Sequence, residues 1–546
     1  MSGEKFNKYI DRRNFLKLSG LFLSIPLLNA CRFFSPNYTF PVTIVGANSK
    51  TGHLLRENKF PAPVKTIIEN TIIVGGGISG LSAARWLKKN NFHDFKLFEL
   101  DTKTGGNSKS GENRISKYPF AAHYLPIPNE NFPELIEFLH EHKIITGFDS
   151  SGLPLYDEYF ICFEPQERFF YRGIWHDGLP PKSGLNESEV LEINRFSEIT
   201  ENYKNKIGKD NKPAFTIPLE LSSTDEEFLS LDKITIAEYL RNNEFKSDFL
   251  GWYLNYCCKD DFGSTIENTS AWAAIHYFAS RNGKAANALS SDVLVWPEGN
   301  QFLAAKLEKE ISNHLKTEYL TYRVERYGNQ WNCFVYDVKN KESIKYVCQN
   351  IILASPQFVN KKILAFDTGI DFNTLNYYPW LVANISIKNK KSLNGAEDLC
   401  WDNVLYSSKS LGYVNACHQS IDSSKSETVI TYYYNFSESD PKTERESIYS
   451  KDDNYWKEFI VNDLKKAHPK IEESITEIEI NILGHGMISP SKNFRSEPSR
   501  KILEAGFENL YFAHSDVSGI SIFEQAFYRG IAAAKQLLKN RTHDKL

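Results

Sequence analysis

The feature that most constrains the fold is a glycine-rich turn between a short apolar strand and a helix. Residues 71–80 read TIIVGGGISG. The β-prone residues lead directly into Gly75, Gly77 and Gly80, at the spacing G-x-G-x-x-G, and a helical pattern begins at Leu81. This order of strand, glycine turn and helix is typical of a βαβ unit that binds a dinucleotide.

Each part of this unit has a physical role. Gly75 permits the tight turn, Gly77 lets the backbone approach a pyrophosphate, and Gly80 lets the helix pack closely against the strand. Ile78 and Ser79 lie at the N-terminus of the predicted helix. The free N–H groups and the positive dipole end of a helix favour an anion there.

An acidic residue completes the pattern. A second apolar run, residues 95–98, ends at Glu99, where a carboxylate can accept hydrogen bonds from an adenosine ribose. With strand, turn, helix and acid in this order, the sequence predicts a dinucleotide site. The alternative interpretation is a structural glycine turn in an unrelated α/β unit.

Length and composition exclude several classes of protein. A chain of 546 residues is too long for one compact core, so we expect two or more domains. The net charge is −4 and no basic block stands out, which disfavours nucleic acid as a partner. The 8 cysteines include no C-x-x-C pair, so the sequence predicts neither a disulfide scaffold nor a metal site.

Residues 1–31 resemble a twin-arginine export signal that ends in a lipobox. Arg12 and Arg13 precede an apolar run at 18–28, which is shorter than the roughly 20 residues that span a bilayer. The run leads to the sequence LNAC, which ends at Cys31. This resemblance implies transport by the twin-arginine translocase and a periplasmic or other extracytoplasmic location, with membrane anchoring through a lipidated Cys31. The alternative is a cleaved secretory signal with an incidental cysteine.

Periodicity divides the remaining chain into segments. The predicted fold class is α/β, with a Rossmann-like domain and an inserted α+β substrate domain. The segments are an irregular lead-in at 32–66, the first part of the dinucleotide-binding domain at 67–125, a mostly helical insert at 126–290, the second part at 291–360, strands and one helix of the substrate domain at 361–490, and the third part with a C-terminal helix at 491–546.

A second glycine pair and a C-terminal block join the first turn as sequence signals. Gly105 and Gly106 follow Glu99 closely, and a buried strand near the C-terminus ends at Asp516. A helix that begins at Phe523 comes next. We expect this strand and helix to supply a second contact for a polyol or phosphate group.

Together these motifs resemble the flavin amine oxidase superfamily, which includes monoamine and polyamine oxidases, L-amino-acid oxidases and protoporphyrinogen oxidase. The resemblance rests on the glycine turn with Glu99, the pair Gly105 and Gly106, the strand around Val324, the strand at 351–356 and the block at 513–530.

The resemblance implies FAD as the cofactor. The glycine turn would hold the pyrophosphate, Glu99 the adenosine ribose, and the backbone of Val324 the adenine. Asp516 would contact the ribityl chain or pyrophosphate, and Ile522 would lie near the flavin ring. The residues expected at the cofactor are Gly75, Gly77, Ile78, Ser79, Gly80, Glu99, Gly105, Gly106, Asn107, Val324, Asp516 and Ile522.

The chain departs from the family pattern at three positions in two of these motifs. Asn107 stands where the family has arginine, Gln525 where it often has glycine, and Ile522 where amine oxidases carry an aromatic residue of the substrate cage. The resemblance implies an oxidoreductase that passes hydride from a C–N bond to FAD and then electrons to oxygen or a quinone. Because these positions differ, oxidation at a C–C bond on the same scaffold is the alternative. A lipid-anchored electron-transfer or assembly component without a small substrate is the third interpretation.

Three residues are candidates for catalysis. His123 follows the second glycine pair where the family chain passes the flavin, and an imidazole is a plausible base near neutral pH. His514 precedes Asp516 and is predicted to tune the flavin, while Asn300 is predicted to reach the substrate cavity. The alternative for each is a structural, hydrogen-bonded residue. The run Lys259-Asp260-Asp261 is predicted to be a solvated turn, with an acid–base pair as the alternative.

Overall fold

The computed structural model describes residues 38–46, 48–394, 399–422 and 424–543. The arginine pair, the apolar run and Cys31 of the predicted export signal lie outside these ranges. Among the described residues, no helix is both long and apolar enough to cross a membrane.

The strands form two large sheets and three short pairs within the described residues. They are β1 (Val42–Val45), β2 (Pro63–Val74), β3 (Phe95–Phe98), β4 (Ser110–Glu112), β5 (Lys117–Pro119), β6 (Tyr124–Pro126), β7 (Ile145–Phe148), β8 (Pro154–Tyr156), β9 (Glu167–Tyr171), β10 (Ile174–Asp177), β11 (Val293–Val295), β12 (Leu315–Lys316), β13 (Tyr319–Tyr327), β14 (Gln330–Asp337), β15 (Glu342–Leu353), β16 (Tyr377–Ile387), β17 (Asp402–Leu405), β18 (Gly412–Asn415), β19 (Thr428–Asn435), β20 (Ile475–Ile488) and β21 (Leu510–Phe512).

The helices connect and cover these sheets. They are α1 (Ser49–Gly52), α2 (Leu54–Glu57), α3 (Ile78–Lys89), α4 (Pro133–Glu141), α5 (Glu187–Lys204), α6 (Glu226–Leu229), α7 (Ile236–Asn242), α8 (Asp248–Phe262), α9 (Ala271–Ala279), α10 (Gln301–Ile311), α11 (Gln357–Ile363), α12 (Lys391–Asn394), α13 (Pro441–Tyr449), α14 (Asp453–Leu464), α15 (Pro498–Ala505) and α16 (Phe523–His543).

The first sheet is the predicted Rossmann-like sheet. Its strands run in the order β12–β3–β2–β15–β14–β13, and β21 pairs with the end of β15. Because β2 pairs in parallel with both β3 and β15, their carboxyl ends meet at the glycine turn that follows β2. The α/β class is confirmed, and β13 and β14 form an antiparallel hairpin. A site at this edge follows the general rule for open α/β sheets.

Helix α16 packs directly on helix α3 and joins the two ends of the chain. The Ser82 hydroxyl donates to the carbonyl of Phe527 across 445 residues of sequence. A Cβ at Gly530 would lie 2.1 Å from the carbonyl oxygen of Ser79. Close backbone approach is therefore possible only because residue 530 has no side chain.

The second sheet forms the substrate-domain part of the fold. Its order is β1–β20–β16–β19–β18–β17–β9–β10. Helices α5 to α9 supply the mainly helical region predicted at 126–290, but β9 and β10 of that segment belong to this sheet. In β9 the side chains of Phe169 and Tyr171, two residues apart, lie on the same buried face, as the two-residue period of a strand requires.

The prediction of an irregular lead-in at 32–66 is wrong where the structure describes it. Strand β1 pairs in parallel with β20 at the edge of the second sheet. Helices α1 and α2 follow, and β2 begins at Pro63. The prolines and glycines of this segment indicate an irregular loop. Its strands form because they pair with residues far along the chain, which the local sequence does not show.

Gly530→Ala tests the contact between α3 and α16. The added methyl group would overlap the Ser79 carbonyl, so we expect the free energy of unfolding to fall by about 1–3 kcal/mol. Gly251→Ala is the matched control, because Gly251 is also helical and a Cβ there meets nothing within 4 Å. Denaturant unfolding should show the control unchanged or stabilised by up to about 1 kcal/mol. Equal effects of the two substitutions would contradict the contact.

Candidate dinucleotide site and cavity

The glycines of the turn serve two different purposes. Gly75 has a φ of +104°, and a Cβ there would lie 3.0 Å from the carbonyl carbon of Ala354. A Cβ at Gly80 would lie 1.9 Å from the carbonyl oxygen of Gly75. Gly77 has an extended backbone with φ of −73° and ψ of −177°. A Cβ added at Gly77 would have the Cα of Gly106 as its nearest neighbour, at 4.0 Å. The fold requires glycine at 75 and 80, whereas open space surrounds position 77.

The second glycine pair lies against this turn. The N–H of Gly105 donates to the carbonyl of Gly76 at 2.9 Å, and both Gly105 and Gly106 have positive φ. At the start of α3, the hydroxyl of Ser79 is buried and has no hydrogen-bond partner among the described residues, whereas Ile78 packs into the core. Bare backbone, a helix N-terminus and an unpartnered hydroxyl fit the phosphates of a dinucleotide.

Glu99 lies at the end of β3, where it was predicted. Its Oε2 accepts from the N–H of Gly76 at 2.7 Å, and its Oε1 accepts from the N–H of Asp101 at 2.8 Å. Burial raises the pKa of the carboxyl, while these two hydrogen bonds lower it in part. Each oxygen keeps a lone pair, so the carboxylate can still accept a ribose hydroxyl.

Val324 is not brought to the turn. Its side chain is fully buried and its carbonyl accepts from the N–H of Ala365 at 2.9 Å. The residue of β13 that lies beside the turn is Tyr319, whose N–H donates to the carbonyl of Glu99 at 2.8 Å. Val324 lies farther along β13 than Tyr319, and its contact with adenine stays a prediction.

The side chains of Asp516 and His514 are engaged within the protein, and their predicted contacts with the cofactor stay predictions. The carboxylate of Asp516 is buried and accepts from the Tyr377 hydroxyl at 2.6 Å and from the Gln357 N–H at 2.9 Å. The N–H of Asp516 donates to Nδ1 of His514 at 3.1 Å. Burial opposes ionisation, but His514 and these donors hold the pKa of Asp516 below its ordinary value. Both side chains fix the loop after β21, and neither lines the cavity.

The remaining predicted residues converge on one cavity between the two sheets. Its empty volume is about 870 Å³, part of which is open to solvent. Asn107, His123, Asn300 and Ile522 all line it. The Asn300 amide donates to the carbonyl of Tyr124 at 2.9 Å, and its Oδ1 is buried without a hydrogen-bond partner among the described residues. That oxygen is available to a ligand.

Three carboxyl groups and one arginine also line the cavity. They are Asp260, Asp261, Glu524 and Arg281. Arg281 donates to Asp261 at 2.8 Å and to the Tyr124 hydroxyl at 3.1 Å. Burial raises the pKa of Asp260 to about 7, with a further rise from Asp261, and burial raises the pKa of Glu524 to about 7. The cavity is therefore acidic, and its charge depends on pH near neutrality.

His123 is neutral at physiological pH. Burial lowers the pKa of its imidazole to about 4, although the Ala121 carbonyl raises it slightly. Its Nδ1 lies 3.4 Å from the oxygen of that carbonyl, so in the neutral ring Nδ1 is the donor and Nε2 the acceptor. A base with this pKa is weaker than the sequence analysis predicted.

Sequence reasoning missed the acids of helix α8. The prediction of a solvated turn at residues 259–261 is wrong, because these residues are the last turn of α8. Lys259 turns away to pair with Glu438 at 2.7 Å, while the two aspartates line the cavity. A signal was present, since an acidic pair ends an otherwise apolar helix. The sequence could not show that this helix end faces a cavity.

Fold and site together define an α/β protein with a Rossmann-like dinucleotide-binding domain and a second domain that closes a cavity beside it. Residues 73–141 match the family model described as "NAD(P)-binding Rossmann-like domain". The chain is also similar to several solved structures over most of its length.

A putrescine oxidase variant with redesigned cofactor binding superimposes with a TM-score of 0.63 at 13% identity, over 87% of this chain and 100% of that chain. Cyclohexylamine oxidase from Brevibacterium oxydans IH-35A superimposes with a TM-score of 0.62 at 12% identity, over 87% of this chain and 99% of that chain. The CLA-producing fatty acid isomerase from P. acnes superimposes with a TM-score of 0.61 at 12% identity, over 86% of this chain and 98% of that chain. At these identities the likeness concerns the fold.

Gly77→Ala separates a ligand requirement from a folding requirement. The backbone at Gly77 accepts any residue and the space beside it is empty, so we expect the stability of the apoprotein to stay within about 0.5 kcal/mol of wild type. The methyl group would occupy pyrophosphate space, so dinucleotide binding should fall by at least about tenfold.

Gly80→Ala is the contrasting variant, because its methyl group would meet the Gly75 carbonyl at 1.9 Å and destabilise the apoprotein itself. Thermal unfolding without ligand and equilibrium binding of FAD measure the two effects. Undiminished FAD binding by Gly77→Ala would contradict the location of the pyrophosphate.

Proposed function

We propose that this protein is an FAD-dependent oxidoreductase that oxidises a C–N bond of a cationic amine. The observation that carries the proposal is the acidic cavity, which opens beside the glycine turn and the start of α16. Asp260, Asp261 and Glu524 line it together with a single arginine.

FAD fits the residues of the site. The space beside Gly77 and the unpartnered hydroxyl of Ser79 suit a diphosphate at the start of α3. Asn107, Asn300 and Phe523 line the part of the cavity nearest the two glycine turns, where a planar ring system can lie. Bound FAD would supply the acceptor for the two electrons of amine oxidation. The protein then has to bind the substrate, orient it and exclude water.

The carboxyl groups favour an ammonium ion over a carboxylate substrate. Asp260 has no ion-pair partner among the described residues, whereas Arg281 is already paired with Asp261 and hydrogen-bonded to Tyr124. A substrate carboxylate would have to displace one of these partners. An ammonium group in the cavity would be attracted by Asp260 and by Glu524, and its charge would stabilise their ionised forms.

The acidity continues behind Asp260. Asp402 of β17 is the register partner of Glu167 in β9, so the two side chains share one face of the second sheet. Burial raises the pKa of Asp402 well above its ordinary value, and the charges of Glu167 and Asp260 raise it further. Burial also raises the pKa of Glu167 to about 7. A cation in the cavity would relieve this mutual repulsion.

Neutral His123 has a positioning role in this proposal. Its ring packs against Tyr433 and Trp401, with centroids 4.8 and 5.6 Å apart. The Tyr433 hydroxyl donates to the carbonyl of Ala121 at 2.9 Å, which fixes the same turn. His123 and Tyr433 line the cavity, so in this proposal they take the place of the aromatic residue absent at Ile522 and form a wall against which an alkyl amine can be oriented.

The names of the similar structures support oxidation of an amine, but one of them points to the alternative of a substrate without nitrogen. Putrescine oxidase and cyclohexylamine oxidase are named for amines, and the fatty acid isomerase is named for a substrate without nitrogen. Oxidation at a C–C bond on the same scaffold and an electron-transfer or assembly role without a small substrate are therefore outcomes of the test below.

Amine oxidation should strengthen as pH rises through neutrality. Below pH 7 the carboxyls of Asp260 and Glu524 are protonated and above it they are ionised, while a primary amine stays protonated up to roughly pH 10. We expect the KM for amines and diamines to fall between pH 6 and pH 8. Asp260→Asn should raise the KM at pH 8 by about tenfold and flatten this profile. Loss of flavin absorption without oxygen and peroxide formation under air are the measurements.

The stability of Asp260→Asn is the control for correct folding. The raised pKa means that folding disfavours the ionised carboxyl, a cost absent below about pH 4 and complete above pH 7. The variant should therefore be more stable than wild type at pH 8, by roughly 1–3 kcal/mol, and no more stable at pH 4. Oxidation of only neutral, unsaturated substrates would favour C–C chemistry, and reaction only with a protein partner would favour the third interpretation.

We further propose export by the twin-arginine translocase and membrane anchoring through Cys31. The support is the sequence itself: Arg12 and Arg13, the apolar run at 18–28 and the lipobox-like LNAC. Diacylation of a cysteine gives more than one chain, which stable anchoring requires.

Metabolic labelling with a fatty-acid analogue tests this anchor. We expect label on the wild type and none on Cys31→Ala, because the thiol at residue 31 would be the acylated group. Cys417→Ala, which removes a partly exposed cysteine of the second sheet region, is the control and should label as wild type does. Equal labelling of Cys31→Ala and wild type would exclude the lipoprotein.

A further inference from the structure

A diphosphate at the glycine turn would meet the N–H groups at the start of α3, and positive side chains would stabilise it further, but three side chains of this region offer no free charge. Lys109 pairs with Asp101, and Arg85 of α3 pairs with Glu310 at 2.9 Å and with a second glutamate. Asn107 carries no charge, and its amide donates to the carbonyl of Gly486 at 2.6 Å. None of these side chains is free to compensate two phosphate charges.

Four other side chains converge beside the site. They come from α1–α2, from α13 and from β20, and we call them the cationic rim: His53, Arg56, Arg445 and His485. Within the described ranges none of the four takes part in an ion pair. Their charges act on one another, since Arg445, Arg56 and His53 each lower the pKa of His485.

Hydrogen bonds and ring contacts tie the inner half of the rim to the loop after β21. The Arg445 guanidinium donates to the carbonyl of Tyr377 at 2.9 Å, and the hydroxyl of the same tyrosine donates to Asp516. The His485 ring stacks on Phe358, with centroids 4.1 Å apart, at the start of α11. This helix follows the end of β15, beside the glycine turn.

The outer half of the rim crosses the carboxyl edge of the first sheet. The N–H of Asn48 donates to Asp101 at 3.2 Å, and a Cβ at Gly52 would lie 3.6 Å from Leu100, next to Glu99. At its other end, α2 contacts α11. The segment therefore spans from the predicted ribose end of the site to the loop that holds Asp516, and it carries the exposed side chains of His53 and Arg56.

Like charges are gathered here at an energetic cost. Burial lowers the pKa of His485 to about 4, so this imidazole is neutral at physiological pH and can donate a hydrogen bond but adds no charge. Burial and the charge of Arg56 lower the pKa of Arg445, while Asp440 and Glu446 raise it in part. The two arginines repel each other unless an anion joins them. A dinucleotide stretched along this edge would bring its diphosphate between the glycine turn and the rim.

We propose that the cationic rim clamps the diphosphate of the bound dinucleotide, with Arg56 and His53 closing over it from the N-terminal segment and Arg445 and His485 facing it from the second domain. This inference rests on the proposed FAD function. Arg56 and Arg445 supply the charge that Asn107 does not, His53 and His485 supply hydrogen-bond donors, and residues 48–57 become part of the cofactor site.

Equilibrium binding of FAD and of riboflavin, which lacks phosphate, tests the clamp. We expect Arg56→Gln to weaken FAD binding by about tenfold and Arg56→Gln with Arg445→Gln by about a hundredfold, because each removes a charge-assisted contact. Riboflavin affinity should stay as in wild type. The FAD affinity of the double variant should also depend less steeply on salt concentration.

Arg241→Gln is the matched control, since Arg241 is an exposed arginine of α7 and pairs with Glu267. Its FAD affinity should equal that of wild type. Thermal unfolding of each apoprotein identifies any variant that is misfolded. If the double variant is misfolded, the FAD affinity of the single variant Arg56→Gln decides, because Arg56 is exposed and its substitution should not disturb folding.

Three outcomes overturn the clamp. One is equal FAD affinity of the wild type and a folded double variant, which leaves the proposed function intact. Another is an equal loss of FAD and riboflavin binding. The last is inorganic pyrophosphate that binds the FAD-loaded protein at the rim, which assigns these cations to a separate anion. Failure of wild type itself to bind FAD removes the proposed function as well.

Discussion

The contact on which the structure depends is a backbone-to-backbone contact without side chains between. A Cβ at Gly80 would lie 1.9 Å from the carbonyl of Gly75, and a Cβ at Gly75 would lie 3.0 Å from the Ala354 carbonyl carbon. Because Gly75 and Gly80 have no side chains, α3 can begin directly above the junction of β2 and β15. That position directs the helix N-terminus to the sheet edge, and the cavity, the second glycine pair and α16 are arranged around it.

A second constraint acts against stability. Glu524 is buried and Asp260 and Asp402 are half-buried, all three with raised pKa values, and none of the three forms an ion pair with an arginine among the described residues, whereas Asp261 pairs with Arg281. Burying a carboxyl group without a partner costs free energy that an apolar side chain would not. The rest of the fold has to offset that cost, and the two long sheets with their apolar faces are the evident source. Sites of this kind trade stability for the ability to bind a charged ligand.

Local motifs were predictable from the sequence, and long-range arrangements were not. The glycine turn, the hairpin around Gly328 and the strand before Pro356 depend on neighbours in sequence, so their residues alone indicate them. The lead-in, the inward carboxylate of Asp516 and the acidic end of α8 depend on contacts with distant segments. No local pattern distinguishes an aspartate on a solvated turn from one that faces a cavity.

The hydrogen bond from Ser82 to Phe527 closes a loop of 445 residues. Contacts this distant form slowly, because the entropy of closing the loop must be lost before any packing is gained. Until α16 docks, the apolar face of α3 stays exposed to solvent and to other chains, which favours aggregation or chaperone binding. A ligand held by both helices binds only after this closure, so its incorporation would report that the entire polypeptide has reached its native topology.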